Sequence, residues 1–65
     1  MLALYIDQAK RNFAFFGFVA PPLTDEQLTE LYERDVPVEY VHNIACDVDA
    51  GFSFERAVRA NYSGE

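Results

Sequence analysis

His42 and Cys46 stand four residues apart, with Asp49 one helical turn further on. On a helix that spacing sets an imidazole and a thiol along one edge, where they could hold zinc. The same pair could form a nucleophile, since a neighbouring imidazole can lower a thiol's pKa. A structural zinc site takes four ligands, however, and the chain has one histidine and one cysteine. A nucleophile would lack the rest of an active site, and a domain this small has little room for a pocket. The three residues flank an apolar helical face, where half-buried boundary side chains are expected. The reading is therefore not an enzyme, with no catalytic residue, metal or other cofactor assigned.

The stretch from Cys46 to Ala60 resembles a helix-turn-helix core: a helix, an Ala-Gly-Phe-Ser turn, then a short helix. The resemblance implies a DNA-binding regulator that reads bases with Ser53, Arg56 and Arg59. Asp47 departs from it, falling where the motif has a small residue packed on the second helix. The second helix also carries Glu55, and Asp47 and Asp49 would repel phosphate. A glycine stop followed by a serine cap is moreover what any two consecutive helices show at their joint. DNA binding is the alternative reading, and nucleic acid is not the expected partner.

Charge points the other way. The net charge is −6, which disfavours long-range attraction to DNA, RNA or anionic membranes and favours a basic partner. Between Asp25 and Asp49 there are eight acidic residues against Arg34 alone. Glu26, Glu30 and Glu33 form a stripe, with Glu39 and Asp47 on the next helix; ordinarily this is a solvated face. The sharper reading is a decoy whose carboxylates imitate a nucleic-acid backbone. In size and acidity the chain is similar to small phage and plasmid inhibitors of host nucleic-acid enzymes.

These residues sit on an all-α framework, a bundle of four short helices at about 2–16, 25–34, 36–50 and 54–61. In the first, Leu2, Tyr5, Ile6, Ala9, Phe13 and Phe16 share one face, and Gly17 with Pro21-Pro22 ends it. The aromatic run at 13–19 is also compatible with an extended segment. Thr24 and Gln27 form a capping box at the second helix, with Leu23 and Leu28 as its hydrophobic staple. Leu28, Leu31 and Tyr32 form its inner stripe, and Glu30 pairs with Arg34 one turn on. Asp35 reads as the cap of the third helix, with Pro37 in its first turn. Val38, Val41, Ile44, Ala45 and Val48 give that helix its core face, Glu39, Asn43 and Asp47 point outward, and Gly51 ends it. Ser53 caps the fourth helix, which turns Ala57 and Val58 inward, and Ser63-Gly64-Glu65 is expected to fray.

With 65 residues, 51% of them hydrophobic, the chain has room for one domain and too much apolar content for disorder. Domains of this size often gain stability from disulfides, metals or a partner. The lone Cys46 excludes an internal disulfide and fits a reducing compartment, so a cytoplasmic setting is expected. No basic leader precedes an apolar run, and the uncharged, aromatic stretch at 13–24 is too short for a bilayer.

Leu4, Gln8, Arg11 and Phe15 form a second line on the first helix, nearly opposite its core face. A helix apolar on two sides is normally sandwiched, and a chain this short has little with which to cover both. The expectation is a non-enzymatic interaction module that forms a homodimer through helix 1. Leu4, Phe15, Phe16 and Phe18 would be its apolar anchors, with Glu26, Glu30 and Glu33 facing a basic protein partner.

Overall fold

The computed structural model describes residues 1–62 and is all-helical: α1 (Leu2–Phe15), α2 (Asp25–Glu33), α3 (Val38–Asp49) and α4 (Phe54–Asn61). The expected fraying at Ser63-Gly64-Glu65 lies outside the described residues. The helices form a body 29 × 29 × 18 Å in extent, and its thin dimension fits two helix diameters. α1 lies on α2 and α3, and α4 packs on α3. The core between them is Ala9, Phe13, Leu23, Leu28, Leu31, Val36, Val41, Ile44, Ala45, Ala57 and Val58. Among the described residues no polar side chain is buried with it.

Three helices end in the same way. After α1, the Gly17 N–H donates to the Ala14 carbonyl and the Phe18 N–H to the Phe13 carbonyl. After α2, Asp35 donates to Tyr32 and Val36 to Leu31; after α3, Gly51 donates to Val48 and Phe52 to Asp47. Each is a Schellman motif, which satisfies the last carbonyls with two reversed bonds around a left-handed residue. Gly17 and Gly51 take that conformation with φ of 90° and 109°. Phe18 packs edge-on against Phe13 at 5.7 Å, the apolar contact that accompanies the motif. The 13–19 run is thus helix and turn, because Gly17 reverses the chain before an extended segment can begin.

Asp35 differs from the expectation for α3. It is the left-handed residue closing α2, with φ of 60°, and its side chain does not cap α3. Pro37 is the N-cap of α3, no side chain caps that helix, and the first helical residue is Val38. The reason is Val36: its burial draws the chain inward before α3 starts. Both serine/threonine caps form as expected. The Thr24 hydroxyl accepts from the Gln27 N–H at 3.1 Å while Gln27 accepts from the Thr24 N–H at 2.9 Å. Ser53 Oγ accepts from the Arg56 N–H at 3.2 Å.

Tyr5 joins α1 to the α2–α3 joint. Its hydroxyl donates to the Val36 carbonyl at 2.8 Å, and its ring meets Tyr32 edge-on at 5.3 Å. Burial pushes the Tyr5 hydroxyl up to a pKa of about 12. No described helix is long and apolar enough to cross a membrane.

Candidate functional site

The outward side of α1 is the largest departure from ordinary surface chemistry. Tyr5, Ile6, Ala9 and Phe13 turn to the core, so a helix of 3.6 residues per turn must turn Leu4, Gln8, Arg11 and Phe15 away from it. Leu4 is 68% exposed and Phe15 83% exposed. Leu2, expected on the core face, is also exposed at its edge. Between the two apolar ends, Arg11 Nε pairs with Asp7 Oδ2 at 3.0 Å, both side chains in solvent.

Phe16 lies between these faces. At 57% exposed it does not enter the core as its spacing suggested; its ring lies over His42 at 4.1 Å and meets Phe15 edge-on at 5.2 Å. The C-cap position swings it off the helical face, toward the imidazole of α3. Phe18 is half-buried on Phe13 and serves the fold.

His42 and Cys46 do meet, with Nε2 and Sγ 3.6 Å apart and the thiol exposed. The imidazole Nδ1 is shielded and has no hydrogen-bond partner among the described residues. Asp49 does not join them, and no group of three potential ligands among the described residues could hold a metal.

On α2, Glu26 and Glu33 are exposed, whereas Glu30 is tied to Arg34. Arg34 also reaches Glu55 on α4 at 2.6 Å, and these carboxylates raise the guanidinium's pKa further. Asp47, expected to point outward, is half-buried and accepts from Asn61 Nδ2 at 2.8 Å. Two acids beside the α4 surface are therefore engaged. Arg56 and Arg59 have no carboxylate partner among the described residues, although Arg56 lies over the Phe52 ring at 5.0 Å. They line a shallow concavity of about 440 Å³ with Ser53, Glu55 and Ala60. Glu30–Arg34 forms as its spacing indicated, but periodicity could not have revealed Arg34–Glu55 or Asp47–Asn61, because each joins side chains on different elements. Comparison with protein-family models, curated proteins and solved structures finds no match for this chain.

Proposed function

We propose that this chain is a non-enzymatic protein-interaction module that self-associates through the outer face of α1 and offers the acidic face of α2 to a basic partner. The observation carrying the reading is the exposure of Leu4 and Phe15 on a helix whose other side fills the core. α2 and α3 cover one side of α1 and leave the other open to a partner. Phe15 and Phe16 supply the large apolar contacts that dominate interface energetics, while Glu26 and Glu33 steer the approach. The lone exposed thiol of Cys46 supports a reducing, cytoplasmic setting.

Light scattering over a concentration series, at low and high salt, tests the module. A dimer that persists in high salt is expected. Leu4→Glu and Phe15→Glu should each give a folded monomer, since neither side chain is in the core. A wild-type chain that stays monomeric at every concentration overturns the reading.

One observation favours a second reading, a DNA-binding α4. Arg34 engages Glu55 and Asn61 engages Asp47, leaving Arg56 and Arg59 as cations without an ion-pair partner among the described residues. Against it, the Ser53 hydroxyl is occupied as a cap and the chain carries six excess negative charges. If the reading holds, duplex DNA binds at low salt and Arg59→Ala reduces the salt slope by about one.

A further inference from the structure

The outer face of α1 has an order that specifies how two copies would meet. Along it run Leu4, Gln8, Arg11 and Phe15, apolar at both ends and polar in the middle. Leu4 and Phe15 lie equally far from the point midway between Gln8 and Arg11. Resting on the self-association above, we propose that two copies pair their α1 helices antiparallel about a two-fold axis at that point. Leu4 of each copy then packs on Phe15 of the other.

Charge decides the direction. A parallel pair would bring Arg11 level with Arg11 of the second copy, across the 8–10 Å that separates packed helices. Antiparallel pairing offsets the two Arg11 by three residues, about 4.5 Å along the axis, and brings an acid beside each. Asp7 and Arg11 lie on the same flank of the stripe, already joined at 3.0 Å within one chain. A two-fold axis across the helices keeps equivalent flanks together and reverses their order. Arg11 then stands level with Gln8 of the second copy and one residue, about 1.5 Å of rise, from its Asp7, and this approach occurs twice. The face is therefore complementary to itself, as an isologous interface must be.

Size sets the strength. α1 has 14 residues and is about 21 Å long, so its outer strip offers roughly half of the ~800 Å² that each partner gives to a standard interface. The pair is weak and concentration-dependent, and covalent capture suits it.

The test uses two full-length variants in a Cys46→Ser background, one with Leu4→Cys and one with Phe15→Cys, mixed and oxidised with diamide. Circular dichroism confirms that each is folded. The expected result is a mixed Leu4–Phe15 crosslink several-fold in excess of either like-with-like crosslink. Excess like-with-like crosslinks would overturn the antiparallel arrangement while leaving self-association intact. Crosslinking no better than a Glu33→Cys control, together with a monomeric wild type by light scattering, would sink both. If the wild type dimerises but the crosslinks match that control, α1 is not the interface and the proposal fails.

Discussion

Asn61 spans the joint between the last two helices, with its Nδ2 donating to Asp47 Oδ2 at 2.8 Å and to the Ala57 carbonyl at 2.8 Å. Asp47 is in the last turn of α3, where the helix dipole disfavours a carboxylate. The amide donor offsets that disadvantage and fixes α4 against α3.

Asn61→Ala should destabilise the protein by about 1–2 kcal/mol, since it leaves a half-buried carboxylate without its donor. Asp47→Ala should cost less, because removing an acid from a helix C-terminus returns about 0.3–1 kcal/mol. Urea unfolding of both variants and of the double variant measures the coupling between them. Equal costs without coupling would contradict this account.

Asp35 is the non-glycine residue held at a left-handed φ of 60° among the described residues. Asp35→Gly should therefore raise stability by about 0.5–1 kcal/mol, and Asp35→Val should lower it by more. Thermal melting of the two variants against the wild type reads both signs.

Much of this framework is legible in the sequence because its signals are completed locally. Thr24 with Gln27, Gly17, Gly51 and Ser53 each finish their hydrogen bonds within five residues, so neighbouring residue types suffice to place them. Asp35 is different. Asp-Val-Pro satisfies the rule for a helix start and the tolerance of aspartate for a left-handed stop, and the burial of Val36 chooses between them. The outer line of Leu4 and Phe15 follows from helical period alone. Phe16 breaks that period by one position, and Arg34–Glu55 and Asp47–Asn61 join separate elements, which no local pattern encodes.

Phe13 and Phe15, two residues apart on α1, should respond in opposite ways. Phe13 is 2% exposed in the core, and Phe13→Ala should cost about 3–5 kcal/mol, a large share of a small domain's stability. Phe15→Ala should fall within about ±0.5 kcal/mol in dilute solution, where no partner covers it. Chemical denaturation well below the dimerisation range separates them.

Tyr5 gives the protein an alkaline sensitivity. Its folded-state pKa, raised by burial to about 12, exceeds the ordinary value of 10. The native state thus favours the protonated phenol: its stabilisation is complete below pH 10 and is lost as pH rises through 12. Tyr5→Phe should weaken the protein at neutral pH by about 1 kcal/mol, through loss of the bond to Val36. It should also flatten the fall in stability between pH 10 and 12. Urea midpoints at several alkaline pH values, compared between the two proteins, check this.

The bond from Tyr5 to Val36 joins residues 31 apart, whereas the helix ends are settled by bonds within a few residues. Bringing the ends of such a segment together costs about 3 kcal/mol of chain entropy beyond a constant. Helical turns form within about a microsecond, so the return of α1 to the α2–α3 joint is expected to set the pace of folding. Amide exchange in α1 would then be the last to slow during refolding, and its protection marks the moment at which the chain becomes a single cooperative unit.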